Sequence, residues 1–385
     1  MIEFEFSEEQ KMLRKSVHEF VEERIKPLAD QIEEDDEIPQ DLISEMGELG
    51  YFGAVVPEEF GGSGFGEVGY CSVVEELSRG SSAVAVLVGA HESLAETTIL
   101  LGGNEEQKKK YLPEMAAGKR IGAYALTEPE AGSDAGSIHT RAEDKGDHYV
   151  LNGSKVFITN GNIADVIVTW AVTDPSLGSR GGITAFIIEP TMKGFSVDQL
   201  ERKMGIHGCH TADLSFKDME VPKENVLGQV GGGFKLALTV LDYGRTSLAA
   251  GCLGGAKELL EISTAYAQQR MQFGKPIAQQ QVIQFMLADM AAKIYALESM
   301  VYRAAWLFDS KKPFIREASI AKLLGSEWLG EIADAAVQIH GGYGYIKDYP
   351  VERFYRDARI NRLFEGTSEI QRLILARDVL KRGGY

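Results

Sequence analysis

Glu365 lies in the run Arg362-Leu-Phe-Glu-Gly-Thr-Ser-Glu-Ile-Gln-Arg372, behind two apolar side chains and ahead of a glycine. A carboxylate set among apolar groups is costly to ionise, so its pKa rises. A carboxyl group that titrates near neutral pH suits general-base work. Gly366 allows the backbone to approach a ligand closely. Ser368 and Gln371 form a capping-box pattern that predicts the start of a last helix just beyond. The same residues also fit a solvated glutamate in a loop leading into that helix, and side-chain chemistry alone does not separate the two.

Three further stretches carry polar groups at useful spacing. Tyr124-Ala-Leu-Thr-Glu-Pro-Glu-Ala-Gly-Ser-Asp134 runs from an apolar segment into a loop of hydroxyls and glycine. Such a loop can offer N–H and O–H groups to a ring or a phosphate, or be an ordinary strand-to-loop turn. Arg270-Met-Gln-Phe-Gly-Lys275 ends a long helical pattern. Arg270 can grip a pyrophosphate through paired N–H bonds or simply answer the helix dipole. Gln338-Ile-His-Gly-Gly-Tyr-Gly344 fits a glycine cap after a core helix as well as a ligand contact. Two other patterns carry little. Gly64-Phe-Gly-Glu-Val-Gly69 matches GxGxxG but has no strand before it and no βαβ unit after it. His207-Gly-Cys-His210 is too tight to form a tetrahedral metal set, and no second cluster completes one.

The elements that hold these stretches read as three blocks. Residues 1–122 read as helices: a capping box at Ser7 and Gln10 opens Glu8–Glu23, and helical spacing covers Pro39–Leu49, Gly66–Arg79, Ala83–Leu101 and Glu105–Ala117. Residues 123–230 change period. His148–Leu151 and Ser154–Thr159 flank Asn152-Gly153, which predicts a hairpin with a type I′ turn; Asp165–Val172, Ile183–Glu189 and Asp213–Phe216 read as further strands of an antiparallel sheet or barrel. Residues 231–385 return to long helices over Phe234–Arg270, Gln280–Asp309, Arg316–His340 and Ser368–Arg382. The expected class is α+β, with a helical N-terminal domain, a central antiparallel β-domain and a C-terminal four-helix bundle.

A net charge of −17 from 40 basic and 57 acidic side chains argues against a nucleic-acid surface. Cys71, Cys209 and Cys252 are odd in number and form no CxxC pair, which predicts a reducing compartment. The opening Met-Ile-Glu-Phe-Glu-Phe-Ser-Glu-Glu has no basic n-region, so no secretory signal is expected. The apolar stretch Ala83–Ala90 is too short to span a bilayer.

Leu126–Asp134, Asn152-Gly-Ser-Lys-Val-Phe-Ile-Thr-Asn-Gly161, Gln338–Gly342 and Phe364–Thr367, taken in this order and spacing, resemble the acyl-CoA dehydrogenase family over about residues 5–380. The resemblance implies FAD as cofactor and an acyl-CoA thioester as substrate, oxidised to the trans-2-enoyl-CoA. It implies electron-transfer flavoprotein as partner and a homo-oligomer, a dimer of dimers, in the cytoplasm of a prokaryote or the mitochondrial matrix. By motif, Tyr124, Leu126, Thr127, Gly132 and Ser133 line the flavin, and Phe157 and Thr159 meet its isoalloxazine edge. Family members usually carry Trp where Phe157 stands. Arg270, Gln272, Phe273, Gln281, Gln338, Gly341 and Gly342 match positions that reach FAD across a subunit interface, and Thr367 and Glu369 match its contacts at the last helix. Ser133, Asp242, Arg245 and Gly366 match substrate positions. Glu365 matches the base that takes the pro-R α-proton, while Gly244 stands where some branches carry the base instead. An acyl-CoA oxidase or a non-catalytic flavin- or acyl-CoA-binding protein on the same fold are the alternatives.

Overall fold

The computed structural model describes residues 6–384; Met1–Glu5, on which the reading of the leader partly rests, and Tyr385 lie outside the described residues. The chain runs as helices, then a sheet, then helices. The first block holds α1 (Glu8–Phe20), α2 (Lys26–Asp35), α3 (Gln40–Glu48), α4 (Gly66–Gly80), α5 (Ser82–Gly89), α6 (Thr97–Gly102) and α7 (Glu105–Ala116). The expected box caps α1, where Ser7 Oγ accepts from the Gln10 amide and Gln10 Oε1 accepts from the Ser7 amide. Asn104 and Gln107 cap α7 in the same way. Short π-helical turns, Val21–Ile25 and Ala90–Glu96, join α1 to α2 and α5 to α6.

The second junction changes one expectation. Ser82–Gly102 becomes a single rod of 21 residues, long and apolar enough by composition to cross a membrane, which Ala83–Ala90 alone is not. Its most apolar window is 72% buried inside the protein, as a core helix would be.

The strands are β1 (Gly122–Ala125), β2 (Arg141–Asp144), β3 (His148–Thr159), β4 (Val166–Val172), β5 (Ile183–Ile188), β6 (Phe195–Leu200), β7 (Thr211–Pro222) and β8 (Val226–Leu227), with a one-turn α8 (Ser179–Gly182) before β5. They form one sheet in the order β6-β7-β3-β2-β4-β5-β8, with β1 paired to β4. Most pairs are antiparallel, but β1 and β2 run parallel to β4, so the sheet is mixed rather than purely antiparallel.

The predicted hairpin at Asn152-Gly153 is absent. β3 runs straight through it, and the pairing with β7 slips there by a bulge. Gly153 has φ +154°, and a Cβ on it would lie 2.5 Å from Thr140 Oγ1. Asn152 Oδ1 accepts from the amide of Asp218, itself at φ +48° on the facing strand. The pair that signals a turn in sequence thus serves a kink within a strand.

The C-terminal block holds α9 (Gly233–Gln269), a short β9–β10 hairpin (Met271–Gln272 and Lys275–Pro276), α10 (Gln281–Asp309), α11 (Ile315–His340), α12 (Val351–Ala358) and α13 (Ser368–Arg382). α9, α10 and α11 share a core that includes Leu253, Leu259, Ile294, Leu297 and Ile332, and α13 lies on α11. The sequence reading passed over α12, where four charged residues interrupt an eight-residue stretch.

α4 is buried along almost its whole length and joins the two helical blocks. Its N-terminal amides, Glu67 and Val68, donate to the Asp309 carboxylate at 2.8 and 3.0 Å. The GxGxxG run therefore leads into a helix whose N-terminus is satisfied by the protein itself. Farther along, Glu75 accepts from Arg14, Lys257 and Tyr302, tying α1, α9 and α10 to α4.

A Cβ on Gly254 of α9 would lie 1.9 Å from the Glu75 carbonyl oxygen and 2.8 Å from its carbon, both backbone atoms. Gly254→Ala is expected to push these helices apart and to destabilise the fold by roughly 2 kcal/mol, after the gain from better helix propensity. A lower urea midpoint at unchanged slope is the expected result; an unchanged midpoint would show that the helices shift without loss.

Candidate active site

Where the three blocks meet they enclose a cavity of about 700 Å³. The end of β1 and the loop after it bring Tyr124, Leu126, Thr127, Gly132 and Ser133 to it, β3 brings Phe157 and Thr159, α9 brings Arg245, and the loop before α13 brings Glu365, Gly366 and Thr367. α4, α5 and the π-helical turn after α5 line it with small side chains such as Ser78, Ala85, Gly89 and Ala90.

The β1 loop is held by a buried ion pair. Lys155, fully buried on β3, donates to Glu128 Oε1 at 2.7 Å and to the Leu126 carbonyl at 3.2 Å. Glu128 also accepts from the amides of His139 and Thr140, so one carboxylate shapes the whole turn from 126 to 140. Burial pulls Glu128 up, but Lys155 and these donors outweigh it and hold its carboxyl below the usual range. Burial draws the Lys155 ammonium down to about 8. We take the pair as ionised at neutral pH, because each partner then keeps its hydrogen bonds.

Just past Lys155 the β3–β7 register slips again, and Phe157 takes φ +61°. Its ring is 64% exposed and faces the cavity. An apolar ring held in a strained backbone and left largely exposed by the described residues is a wall suited to a flat ligand.

Glu365 has φ +54°, a left-handed conformation that non-glycine residues adopt at a cost of roughly 1–3 kcal/mol. Four hydrogen bonds fix this turn. Arg245 Nε and Gln371 Nε2 donate to the Glu365 carbonyl at 3.3 and 3.4 Å. Gln371 Nε2 and Lys322 Nζ donate to the Gly366 carbonyl at 3.0 and 2.7 Å. Gln371 is thus engaged with the loop. The N-cap of α13 is Thr367, one residue earlier than the Ser368 pattern implies, with its hydroxyl accepting from the Ile370 amide.

The Glu365 side chain lies against the cavity, with Oε2 sealed from solvent and without a hydrogen-bond partner among the described residues. Burial raises its carboxyl; Lys322 and Arg245 draw it back, leaving it at about 7. A Cβ at Gly244 would come within 2.4 Å of Oε2, so the helix opposite leaves room for this carboxylate only by having no side chain there. Chemically, this is a dry base beside an enclosed space.

The remaining sequence candidates lie elsewhere. Asp242 does not line the cavity and reaches it only through its ion pair with Arg245. Arg270, Gln272, Gly341 and Gly342 come together in a second cleft of about 480 Å³, with Tyr266 and Tyr343. There the Arg270 guanidinium stands 5.3 Å from the Tyr343 ring centre. Phe273, 92% exposed at the tip of the β9–β10 hairpin, lines neither cavity. Neither do Gln281, Gln338 and Glu369, at the ends of α10, α11 and α13. His207 and His210 are occupied, the first by Glu33 and the Lys203 carbonyl, the second by Asn162 and the Asp36 carbonyl.

Sequence reasoning missed Lys155 with Glu128, and Lys322. The signal was present in each case: a lysine at an inward position among apolar or small neighbours, as in Ala318-Ser-Ile-Ala-Lys-Leu-Leu-Gly325. A cation at such a place requires a partner.

Three family profiles match successive parts of the chain: the acyl-CoA dehydrogenase N-terminal domain over residues 7–119, the middle domain over 123–219 and the C-terminal domain over 231–380. An acyl-CoA dehydrogenase of Bacillus subtilis (strain 168) is 49% identical over 374 residues, covering 97% of this chain and 98% of that one. The caffeyl-CoA reductase–Etf complex subunit CarC of Acetobacterium woodii is 46% identical, covering 98% and 100%. The structure of butyryl-CoA dehydrogenase from Megasphaera elsdenii superposes with a TM-score of 0.96 at 42% identity, covering 98% and 100%.

Proposed function

The chain belongs to the acyl-CoA dehydrogenase family, and from that premise we propose that Glu365 takes the α-proton of an acyl-CoA thioester held in the 700 Å³ cavity. The protein is an FAD-dependent oxidoreductase that acts on the CH–CH group of acyl-CoA. The chemistry FAD supplies when bound is acceptance of the Cβ hydride at its N5 atom, and the thioester leaves as a trans-2-enoyl thioester.

The residues present suit that group. Phe157 offers an unpartnered ring, and Gly132 leaves open space where a Cβ would stand. Tyr124, Leu126, Thr127, Ser133, Phe157, Thr159 and Thr367 would hold the flavin end. The cleft of Arg270, Gln272, Gly341 and Gly342, with Phe273, Gln281 and Gln338 outside it, would serve the FAD of a second copy of the chain, while Glu369 would join Thr367 at the last helix. Its separation from the first cavity favours that division of labour, and with it a homo-oligomer of at least two copies; the dimer of dimers is what the family resemblance implies.

The observation that carries the reading is the buried, unpartnered Oε2 of Glu365. Ionised, it can accept a proton; the Glu365 amide, in the turn fixed by Lys322, Arg245 and Gln371, can donate to the thioester carbonyl as enolate charge develops. Arg245 and Ser133 line the same space and would orient the thioester and the CoA arm, with Asp242 steering Arg245 and Gly366 allowing close approach. The Etf association in the name of one relative supports electron-transfer flavoprotein as the electron acceptor. Butyryl-CoA in the name of another supports a short acyl chain. Three free, buried cysteines favour a reducing compartment, the cytoplasm or mitochondrial matrix.

The test is the pH dependence of kcat/KM with butyryl-CoA and an artificial electron acceptor. A base must be ionised to act, so activity should rise with pH through a limb centred near 7, the pKa to which burial lifts Glu365. A limb at the ordinary carboxylate value near pH 4 would show Glu365 solvated and the assignment wrong.

A further inference from the structure

Lys322 lies in the first third of α11 and is fully buried, between Ala321 and Leu323. Its ammonium forms no ion pair with any carboxylate among the described residues; it donates instead to the Gly366 carbonyl at 2.7 Å. Gln371 Nε2, a neutral donor, already serves that carbonyl at 3.0 Å. A hydrogen bond to the loop therefore does not need a charge, and a buried charge without a counter-ion is costly. The unspent charge lies beside the residue that precedes Gly366.

The groups around the Glu365 carboxylate are few. From α9 come Arg245 and the buried Cys252, from β1 Tyr124, from α11 Lys322 itself, and Glu369 of α13 acts in turn on Lys322. Arg245 is paired with Asp242, which neutralises much of its field. Lys322 is the cation left unneutralised.

We propose that Lys322 is a positioning residue for the reaction: its bond to the Gly366 carbonyl fixes the strained turn that carries Glu365, and its fixed positive charge keeps the Glu365 carboxylate ionised in a dry cavity. The inference rests on Glu365 being the base. Burial lifts Glu365, and Lys322 is the larger of the two cationic influences that bring it back to about 7. Burial likewise lowers the Lys322 ammonium to about 8, with Glu365 opposing, so it is charged at neutral pH.

The experiment compares Lys322→Met, Lys322→Gln and Lys322→Arg in the FAD-loaded enzyme, following kcat/KM and anaerobic flavin bleaching by butyryl-CoA from pH 5.5 to 9.5, with Glu365→Gln alongside. Loss of the charge should move the rising limb up by roughly one pH unit in both neutral variants. That corresponds to roughly fivefold less activity at pH 7, where the parent carboxyl is about half ionised and the variants' about a tenth, largely recovered by pH 9. Lys322→Arg should keep the original limb. Flavin absorbance and the thermal midpoint report on folding, and if Lys322→Met fails to fold, Lys322→Gln, which keeps a donor, still decides. A limb that stays in place, or a loss equal at all pH values, would overturn the inference. If Glu365→Gln still abolishes bleaching in that case, only the role of Lys322 falls. If Glu365→Gln retains bleaching, the assignment of the base falls first.

Discussion

Glu365→Gln is expected to lower kcat by about 10²–10⁴-fold while the protein still folds, binds flavin and binds thioester. Glutamine matches the shape of glutamate, and the turn is held through backbone carbonyls that the change does not touch. What disappears is the ability of Oε2 to take a proton. The position opposite, Gly244, has no side chain that could take over. The variant also loses a carboxylate that is costly to bury, so its thermal midpoint should equal or exceed that of the parent. The measurements are turnover with butyryl-CoA, the visible flavin spectrum and the thermal midpoint. Turnover within a few-fold of the parent would place the base elsewhere.

Lys155→Met should have the largest effect on stability, roughly 3–5 kcal/mol. Lys155 and Glu128 are 0% and 4% exposed, so removing the lysine leaves a carboxylate buried without its counter-ion. Glu128 anchors the amides of His139 and Thr140, and through them the loop from Leu126 to Ser133. The variant should therefore unfold at lower urea and also hold flavin less tightly. Replacing both partners, Lys155→Met with Glu128→Gln, removes both charges and should recover most of the lost stability. A single variant within 1 kcal/mol of the parent would mean that water reaches the Glu128 carboxylate.

The helical parts of the fold were legible because local signals and burial agree there. Ser7 with Gln10 marks a helix start in sequence and forms the box in the structure. The three-block order likewise follows from changes in hydrophobic period. The sheet was less legible. Asn152-Gly153 has the composition of a turn, but a close approach to Thr140 and a hydrogen bond to Asp218 use those residues inside a strand. Those contacts lie far away in sequence, where turn propensity has no access to them. The parallel pairing of β1 with β4 is hidden for the same reason.

At the site, the Phe364–Thr367 run gave the carboxylate and the glycine, but not the donors that fix the turn. Lys322 and Arg245 arrive from helices 44 and 120 residues away in sequence. The dispersed group of Arg270, Gln272, Gly341 and Gly342 could be named by motif, yet only the structure brings these residues into a common cleft.

The contact between Gly244 and the tip of Glu365 has a consequence for how substitutions would be read. An added methyl group meets the movable end of a side chain there, not backbone, so the helix can accommodate it while the carboxylate is turned aside. In a survey of every substitution along the chain, position 244 should stand out by a mismatch: normal amounts of folded protein, and little conversion. Scores based on abundance alone would class it as tolerant.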